Sequence, residues 1–444
     1  TATAFETDGQ NDLTVNSGTY SVTEPGVSGY STTYDNCSGL VIANGSSATC
    51  AITNTAIAPT LKLVKTVIKD NGGTATESDF QGKIDGNNVS WNSVQVVTVG
   101  AHTASEIANV SGYIAGDWGG DCAANGSVTL ALGENKICTV ANDDQPGTLH
   151  VVKVLPNDNG GNAAANQFSF SVNGGSATAF ETDGQNDLTV DAGTYSVTET
   201  NPMDGYTLSY DNCTDVVIPN GGEAACTITN NDQPSHLIVK KHVISDNGGL
   251  LGAGNFTITV ANDANPGSFS GSEAGTDVTV NAGSYSATEG DVYGYAMTGN
   301  DCSGTIANGE TKTCTITNDD IAPKLTVIKN VVNNFGGPLG AADFTMHVDG
   351  TNPSASSFSG SESGTVVTLD AGSYSVTEDA VIGYEATIES GCSGTLSVGD
   401  EKTCTITNND IQPQLIVTKH VVNDNGGNTN AGNFNLSVSG TGVS

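Results

Sequence analysis

The sequence is organised by an internal repeat, and this feature limits the possible folds more than any other. A strand-like segment with the pattern Leu-x-Val/Leu-x-Lys recurs at intervals of 88, 88, 88 and 90 residues, starting at Leu61, Leu149, Leu237, Leu325 and Leu415. In the complete repeats it is followed, with small variations, by an Asp/Asn-rich Gly-Gly turn, a Gly-x-Tyr-Ser-Val-Thr-Glu strand, two Cys and a closing Thr-Ile-Thr-Asn segment. A chain of 444 residues built in this way predicts stacked small domains rather than one large core.

The strands of each repeat are predicted by alternation of apolar and polar positions, with Val, Ile, Thr and Tyr enriched. In the closing strand, for example, Cys404, Ile406 and Asn408 share one face. No stretch has the pattern of a capped amphipathic helix. About seven short strands in a unit of this length, separated by Gly turns, predict a small Ig-like or prealbumin-like β-sandwich.

The predicted fold class is therefore all-β, a tandem array of small sandwiches whose short Pro-containing junctions stiffen the chain into an extended rod. Residues 1–24 return at 176–199 with only three differences, which indicates recent internal duplication. The predicted domains are 1–58 (the later two-thirds of a repeat), 59–146, 147–234, 235–322, 323–412 and 413–444 (the first third of a repeat).

Composition excludes several classes of function. The formal net charge is −35, and all 13 basic residues are Lys, so the chain lacks the basic surface that nucleic acids and anionic membranes require. No run of about 18 apolar residues suits insertion into a membrane. The six His show no catalytic spacing with Cys or Asp, so we expect no enzyme. We also expect no cofactor; the Asp-Asn-Gly-Gly turns could bind calcium, but such turns usually need no ion.

Ten Cys fall as one pair per repeat, and we predict that each pair forms a disulfide that staples a hairpin. A zinc site is the alternative, but the Cys-x2-Cys spacing typical of such sites is absent. The disulfides predict an oxidising, extracellular compartment. The pairs are Cys37 with Cys50, Cys122 with Cys138, Cys213 with Cys226, Cys302 with Cys314, and Cys392 with Cys404.

Three further residues recur on the predicted core faces. The first strand of each repeat carries a Lys, the Tyr-Ser-Val-Thr-Glu strand a Glu, and the last strand an Asn. In the complete repeats these sets are Lys65, Glu106 and Asn142; Lys153, Glu199 and Asn230; Lys241, Glu289 and Asn318; and Lys329, Glu378 and Asn408. The partial repeats contribute Glu24 and Asn54 at one end and Lys419 at the other.

Burying a Lys and a Glu together is unfavourable unless their charges are compensated. Burial lowers the pKa of an ammonium group, and the resulting neutral amine is a nucleophile. Such a Lys could attack the Asn side-chain carbonyl while the protonated Glu polarises it, which would give an isopeptide bond and release ammonia. The alternative is a buried Lys–Glu salt bridge in which the Asn only donates and accepts hydrogen bonds.

The string Gly-Thr-Tyr-Ser-Val-Thr-Glu-Thr-Asn-Pro-Met-Asp-Gly-Tyr at 193–206 resembles the corresponding segment of collagen-adhesin B-type (Cna-B, SpaA-like) domains of bacterial pili and surface adhesins. The resemblance extends over every repeat. In that family an early-strand Lys, a Glu in this segment and a last-strand Asn or Asp form an isopeptide bond, which implies the same role for the three residue types above. The sequence departs from the family by its added disulfides, and by His102 where the other repeats have Tyr.

These features predict an extracellular structural protein at the cell surface, the subunit of a pilus-like or stalk-like filament. The alternative is the repeat region of an adhesin that binds a host, matrix or cell-surface ligand; the likeness of the repeats favours the first interpretation.

The two partial repeats together make up one complete repeat. We therefore expect a head-to-tail homopolymer in which residues 413–444 of one subunit complete, by strand addition, the domain of residues 1–58 of the next. Lys419 would then face Glu24 and Asn54 across the subunit boundary. The alternative is a five-repeat section of a longer continuous polypeptide, which would show the same complementarity.

Overall fold

A computed structural model describes residues 3–440 and residue 442. Thr1, Ala2, Thr441, Val443 and Ser444, which fall in the two predicted partial repeats, lie outside the described residues. The chain forms two compact units: one holds the first partial repeat, the first complete repeat and most of the second, and the other holds the remainder. Among the described residues, no helix combines the length and apolar character needed to cross a membrane.

The first partial repeat contains four strands in two small antiparallel sheets, β1 with β3 and β2 with β4. Their bounds are β1 Gly18–Tyr20, β2 Tyr30–Asp35, β3 Leu40–Ile42 and β4 Ala51–Ala56.

The first complete repeat is a sandwich of two sheets, with strand orders β10-β13-β5-β8 and β12-β9-β6-β7, and β11 pairs with β13. Its strands are β5 Thr60–Ile68, β6 Gln81–Ile84, β7 Asn87–Val89, β8 Val94–Val96, β9 Gly100–Ile107, β10 Tyr113–Ala115, β11 Gly119–Gly120, β12 Ser127–Leu130 and β13 Asn135–Asp144; a 3₁₀ turn spans Glu77–Asp79.

The second complete repeat has the sheet β17-β14-β22-β20, opposed by β16-β15-β19 and β18-β21. Its strands are β14 Gly147–Val154, β15 Ser169–Val172, β16 Thr178–Ala179, β17 Gln185–Val190, β18 Gly193–Tyr195, β19 Val197–Glu199, β20 Tyr206–Asp211, β21 Val216–Ile218 and β22 Glu223–Asp232; a 3₁₀ turn spans Ala165–Gln167.

The third and fourth complete repeats are the most regular, each with two four-stranded sheets: β26-β23-β30-β28 and β25-β24-β27-β29, then β34-β31-β38-β36 and β33-β32-β35-β37. The third contains β23 Ser235–Ile244, β24 Thr257–Val260, β25 Ser268–Ser270, β26 Thr276–Val280, β27 Gly283–Glu289, β28 Tyr295–Asn300, β29 Ser303–Ile306 and β30 Thr311–Asp320. The fourth contains β31 Lys324–Val332, β32 Thr345–Asp349, β33 Ser357–Ser359, β34 Thr365–Thr368, β35 Gly372–Glu378, β36 Tyr384–Ile388, β37 Ser393–Leu396 and β38 Glu401–Asp410.

Short 3₁₀ turns occur at Ala253–Asn255, Ala341–Asp343 and Ser390–Cys392 in these two repeats. In the last partial repeat, described to residue 440 and at 442, a 3₁₀ turn spans Ala431–Asn433 and residues 413–440 form no strand.

In every complete repeat the first and last strands lie side by side at the centre of one sheet and run parallel. In the fourth repeat Lys329 is opposite Ile406, and Asn408 lies two residues further along the same face. The strand pairs β5–β13, β14–β22 and β23–β30 have the same parallel arrangement. The first strand therefore places its Lys diagonally across from the Asn of the last strand.

The core of each repeat lies between its two sheets and consists of the alternating inward residues that the sequence pattern indicates. In the third repeat Leu237 and Val239 pack with Ile258 and Val260 of the opposite sheet, and Cys302 and Cys314 belong to the same cluster. The equivalent clusters in the first and fourth repeats also combine aliphatic residues with a disulfide. This core fixes which face of each strand carries the buried Lys, Glu and Asn.

Consecutive repeats are joined by backbone hydrogen bonds around one linker residue. At the joint after the third repeat, the Ile321 amide donates to Gly294 O (2.8 Å) and the Gly399 amide of the next repeat donates to Ile321 O (2.7 Å). A second contact forms where the Ala371 amide donates to Asn247 O (2.8 Å). Gly294 has φ +80°, and a Cβ there would overlap the backbone of Val398, so the joint requires glycine.

The same bonds recur at the earlier joints. At each joint the linker amide donates to a Gly carbonyl and the linker carbonyl accepts from the amide of a Gly in the next repeat. The linker residues, each with these two partners, are Ile57 with Gly29 and Gly133, Gln145 with Gly112 and Gly221, and Gln233 with Gly205 and Gly309. The second contact recurs where the Ala192 amide donates to Asn71 O and the Ala282 amide donates to Asn159 O.

Candidate crosslinking site

The Lys of each complete repeat is buried between the sheets, as the alternation predicts. Lys241 and Lys329 have no exposed surface, and Lys65 and Lys153 are 2% and 6% exposed. The Glu reaches the same place from the opposite sheet: Glu378, for example, pairs in register with Met346 on β32. The sandwich thus brings one cation and one carboxylate together in a space that excludes water.

In the third and fourth repeats the three residues meet. Lys241 Nζ donates to Asn318 Oδ1 at 2.7 Å and lies 3.3 Å from Glu289 Oε2. In the fourth repeat Lys329 Nζ donates to Asn408 Oδ1 at 2.5 Å and lies 3.0 Å from Glu378 Oε2. Each Asn carbonyl is thus in direct contact with the amine that would attack it.

The second repeat closes a complete ring of contacts. Lys153 Nζ donates to Asn230 Oδ1 at 2.6 Å and to Glu199 Oε2. The Asn230 amide group then donates to the other carboxylate oxygen of Glu199 at 2.9 Å. A single carboxyl group therefore contacts both the nucleophilic nitrogen and the nitrogen that would leave.

The first complete repeat differs. Lys65 Nζ lies 2.6 Å from Glu106 Oε2, as expected, but no contact joins it to Asn142 among the residues that the structure describes. Asn142 is fully buried, and within the described part of the chain neither its Oδ1 nor its Nδ2 has a hydrogen-bond partner. The predicted set of Lys65, Glu106 and Asn142 is thus only partly assembled.

A buried Phe covers each Lys, and the sequence analysis did not identify it. The distances from Nζ to the ring centroid are 4.4 Å for Lys65 and Phe80, 4.1 Å for Lys153 and Phe168, 4.4 Å for Lys241 and Phe256, and 4.5 Å for Lys329 and Phe344. The ring faces attract the cation and also exclude water. The constant spacing from Lys to Phe in every repeat is the signal that would have revealed it.

Burial lowers the pKa of all four of these Lys, because the charged form loses its hydration. The hydrogen bond and the charge of the facing Glu act in the opposite direction and offset this effect only in part. The environment therefore favours the neutral amine more than water does, which is the form that can act as a nucleophile.

In the partial repeats the predicted residues form only some of these contacts. The Asn54 amide donates to both carboxylate oxygens of Glu24, at 2.9 and 3.0 Å, in an exposed setting. Lys419 is exposed, and its Nζ lies 4.2 Å from the ring centroid of Phe434. The Asn54–Glu24 contact resembles that of Asn230 with Glu199 in the second repeat, and the Lys419–Phe434 contact resembles the Lys–Phe contacts of the complete repeats.

All ten Cys form the five predicted disulfides, and the described residues include no free Cys. The bonds join Cys37 to Cys50, Cys122 to Cys138, Cys213 to Cys226, Cys302 to Cys314, and Cys392 to Cys404.

The prediction that these disulfides staple hairpins is wrong. In the third repeat Cys302 directly precedes β29, which pairs with β27, whereas Cys314 lies on β30 of the other sheet. Likewise Cys226 lies on β22, which does not pair with β21, the strand that follows Cys213. Cys50, at the start of β4, is separated in the same way from β3, which pairs with β1. In these three cases the strand that follows the first Cys and the strand at the second Cys belong to different sheets, so the two Cys do not lie on the paired strands of one hairpin.

The Asp-Asn-Gly-Gly turn is held by a buried Asp two residues after the Asn of the last strand. In the third repeat Asp320 accepts hydrogen bonds from the backbone amides of Asp246, Asn247 and Gly249, at 2.6 to 3.1 Å. Burial alone would raise the pKa of Asp320, but these amide donors outweigh it and the pKa is lowered. The backbone amides of the turn thus donate to the Asp320 carboxylate. The carboxylates of Asp246, Asp319 and Asp320 also lie close to one another.

The same Asp recurs in the other complete repeats as Asp144, Asp232 and Asp410, each accepting bonds from the equivalent turn. This turn also makes the second contact of the joints. The sequence analysis missed the role of this Asp, although its constant position after the Asn was visible in the sequence.

A comparison with protein families assigns the fold. The model of a family described as prealbumin-like fold domain matches residues 56–140, 144–228, 232–320 and 319–409. The chain belongs to this family, and the resemblance to Cna-B and SpaA-like domains and the prediction of an all-β tandem array are confirmed. A search of curated proteins found no match.

Solved structures with low sequence identity are similar to the chain. The Bacillus anthracis TIE protein has a TM-score of 0.43 and 14% identity, over 88% of this chain and 74% of that one. Two B repeat units of the collagen binding protein Cna of Staphylococcus aureus give 0.25 and 15%, over 80% and 99%. The major pilin subunit BcpA of Bacillus cereus gives 0.24 and 12%, over 60% and 100%.

Proposed function

We propose that the chain is a structural subunit of an extracellular filament, pilus-like or stalk-like, whose β-sandwich repeats are locked by Lys–Asn isopeptide bonds as well as disulfides. The observation that carries this proposal is the direct contact between Lys Nζ and Asn Oδ1 in three buried sites, each with a carboxyl group. The Asn carbonyl beside the amine supplies the electrophile that the reaction needs, and mass analysis separates this proposal from a salt bridge in which the Asn only accepts a hydrogen bond.

The proposed reaction needs no external reagent. One proton passes from the Lys ammonium group to Glu199, which leaves a neutral amine and a neutral carboxylic acid. The amine of Lys153 attacks Cγ of Asn230, a C–N bond forms, and the acid polarises the carbonyl. The Glu then transfers a proton from the attacking nitrogen to the leaving amide nitrogen, the old C–N bond breaks, and ammonia departs. The departing ammonia takes the proton that Glu199 accepted from the Lys ammonium group and leaves as ammonium, so Glu199 returns to the carboxylate form and acts as a proton shuttle.

The position of the bond supports a mechanical role. The Lys and the Asn lie on the first and last strands, which are adjacent and parallel. Tension applied at the two ends of a repeat would shear this strand pair first. An amide between the two strands would pass the force from one linker to the next and leave the intervening residues unloaded. Five disulfides support an oxidising, extracellular location.

We further propose that the subunits polymerise head to tail by strand addition. In the second repeat the last strand, β22, lies between β20 and the first strand, β14. The equivalent strand of the first partial repeat, β4, pairs with β2, but among the described residues no strand pairs with its other edge. Residues 413–440, which form no strand, expose Leu415, Ile416 and Val417. Binding of this segment parallel to β4 of a second copy would satisfy the edge and bring Lys419 to Asn54 and Glu24.

The crosslinks are tested by intact-mass analysis and peptide mapping of the reduced protein. We expect the loss of one ammonia for each bond, and peptides that join Lys153 to Asn230. Glu199→Ala should abolish that link, whereas the control Glu223→Ala, at an exposed carboxylate of the same repeat, should leave it. Full sequence mass with free Lys side chains would leave only the salt bridge.

Polymerisation is tested with Val417→Asp, which places a charge on the strand that would be added. We expect filaments or ladders of oligomers for the original protein and monomers for the variant, measured by mass photometry and electron microscopy. Asp424→Asn, in the exposed turn of the same segment, is the control. Monomers of the original protein at high concentration would support the alternative, a section of a longer polypeptide.

A further inference from the structure

The disulfide of the third repeat connects two strands that carry the proposed crosslinking site. Cys302 directly precedes β29, and its carbonyl accepts a hydrogen bond from the Ala287 amide at 2.8 Å. Ala287 lies on β27, two residues before Glu289. The other Cys, Cys314, lies on β30 four residues before Asn318, and both of these side chains are buried. The disulfide therefore ties the strand that carries the Glu to the strand that carries the Asn.

The second and fourth repeats have the same arrangement. In the second repeat the Val197 amide donates to Cys213 O at 2.8 Å, and Glu199 follows two residues later on β19. Cys226 lies on β22, four residues before Asn230. In the fourth repeat β35 pairs with β37 in the same register in which β27 pairs with β29, and the first Cys again directly precedes β37. The three repeats whose Lys contacts the Asn thus have the first Cys beside the Glu strand.

In the first complete repeat the disulfide is displaced from this position. The amide of Ala104, two residues before Glu106, donates to Gly126 O at 2.8 Å, so Gly126 takes the place of the Cys. Cys122 lies earlier in the chain, and the sequence separation between the two Cys is 16 residues instead of 12 or 13. This is also the repeat in which Asn142 has no hydrogen-bond partner among the described residues.

The pairing of strands alone fixes only part of the site. Lys241 and Asn318 lie on the adjacent strands β23 and β30, so the hydrogen bonds of one sheet set the distance between them. Glu289 belongs to the opposite sheet, and its position depends on how the two sheets are held together. The carboxyl group must contact the amine and the amide nitrogen at once, as Glu199 does. A covalent tie beside the site removes relative motion of the two sheets, and reactions of this kind depend strongly on such alignment.

We propose that the disulfide is a positioning device for the Lys–Asn reaction in the second, third and fourth repeats, so that the reaction is fast only after the two Cys have been oxidised. This inference rests on the proposed isopeptide bonds and adds a control over when they form. The disulfide sets the rate of the reaction and not its final extent, because the Lys, Glu and Asn that react are present without it.

The redox chemistry sets the order of events. When the disulfide forms, the two Cys thiols lose two electrons and two protons, and a low-molecular-weight disulfide accepts them and becomes two thiols. A reducing compartment therefore keeps the repeats in a form that crosslinks slowly, and transfer to an oxidising compartment starts the fast reaction. The permanent bonds thus form mainly outside the compartment in which the chain is made.

A time course on the full chain tests this order. The protein is synthesised in a cell-free system with a thiol reductant and divided between buffers with and without a low-molecular-weight disulfide. Aliquots are alkylated, digested and analysed by mass spectrometry for the Lys241–Asn318 and Lys153–Asn230 links. We expect both links to form roughly tenfold faster, or more, with the oxidant. In the oxidised sample, peptides that carry a link together with alkylated Cys should be rare at early times.

Variants of the same chain separate positioning from stability. In Cys302→Ser with Cys314→Ser, the link of the third repeat should form roughly tenfold more slowly, while the link of the second repeat in the same molecules keeps its rate. Val239→Ala is the stability control, because this buried residue lies opposite Cys314 and its truncation leaves the disulfide intact; the rate should stay unchanged. Cys122→Ser with Cys138→Ser should leave the rates of both links unchanged.

Each failure has its own meaning. If the links form equally fast with and without the oxidant, or form while the Cys are still alkylated, the positioning role is overturned and the isopeptide bonds stand. If Val239→Ala slows the link as much as loss of the disulfide does, the disulfide acts through stability alone and the proposal is again overturned. If no link forms in the oxidised protein, the isopeptide bonds themselves are wrong and this inference falls with them. Hydrogen exchange resolved by repeat shows whether the Cys variant is folded; if it is not, the order of events in the original protein decides.

Discussion

The first and fourth complete repeats carry the same Lys, Glu and Asn at the same positions, but only the fourth brings all three into contact. Lys329 Nζ lies 2.5 Å from Asn408 Oδ1, whereas Asn142 of the first repeat is buried without a hydrogen-bond partner among the described residues. The first repeat thus holds a Lys–Glu ion pair, and in the fourth the Lys amine contacts both the Glu carboxylate and the Asn carbonyl. A shared motif places the residues on one face, but the packing around them decides whether the reacting atoms meet.

The largest expected difference between the two repeats is covalent. We expect peptide maps of freshly purified protein to show Lys329 joined to Asn408, and Lys65 and Asn142 unmodified. The reason is that the amine must reach the amide group of the Asn, and of these two repeats only the fourth has its Lys Nζ hydrogen-bonded to the Asn side chain. A complete Lys65–Asn142 link would contradict this comparison, and the sequence-based prediction of a bond in every repeat would then hold.

The second prediction concerns stability. Asn408→Ala should destabilise the fourth repeat by about 4 kcal/mol, because it prevents the proposed crosslink, which would close a long loop. Asn142→Ala should cost far less, since this side chain makes no hydrogen bond to lose. Hydrogen exchange resolved by repeat measures both effects, and Asn409→Ala is the exposed control. Equal losses at the two positions would mean that the Asn contributes through packing alone.

The third prediction uses the disulfides. Replacing Cys122 and Cys138 by Ser should destabilise the first repeat by about 3 kcal/mol, the value expected for a loop of this length. Replacing Cys392 and Cys404 should cost the fourth repeat less, because their loop lies inside the larger loop that the proposed Lys–Asn bond would close. Chemical denaturation followed by hydrogen exchange resolved by repeat measures the loss of stability in each of the two repeats. A larger loss in the fourth repeat would argue against the covalent bond.

The smallest effect is a dependence on pH that only the first repeat should show. Its His102 contacts Asp85 at Nδ1 (2.7 Å) and Thr98 O at Nε2 (2.7 Å), both acceptors, so only the protonated ring can donate to both. The Asp85 hydrogen bond and then the Thr98 carbonyl raise the pKa of His102 above its ordinary value of 6.5. This stabilisation is complete below pH 6.5 and is lost as the pH rises through the raised pKa.

We expect the first repeat to unfold more readily at about pH 8.5 than at about pH 6, and the fourth, which has Tyr374 at this position, to lack this component. Amide hydrogen exchange, measured at both pH values under conditions that match the chemical exchange rate, compares the stability of the two repeats. In His102→Tyr the difference should disappear; if it persists, another group is responsible.

Much of the site could be predicted from sequence because strand alternation determines which residues share a face. Lys153, Glu199 and Asn230 were placed on the core by this argument and are buried together. Alternation does not reveal which sheet a strand joins, and for this reason Cys213 and Cys226 were expected in one hairpin. It also does not give distances, so Asn142 could not be distinguished from Asn230. The Phe over each Lys and the Asp behind each turn were visible only as constant spacings.

The joints between repeats have a consequence for how such a chain evolves. Their hydrogen bonds are formed by main-chain atoms, and the linker residue can be Ile or Gln without changing them. A repeat that is copied or deleted at the level of the gene therefore arrives with both halves of its interface intact, provided that it keeps the glycine of the joint. Compatible neighbours need not coevolve, so the number of repeats can change in one recombination event. The segment at 1–24 and its near-identical copy at 176–199 are the expected trace of such an event.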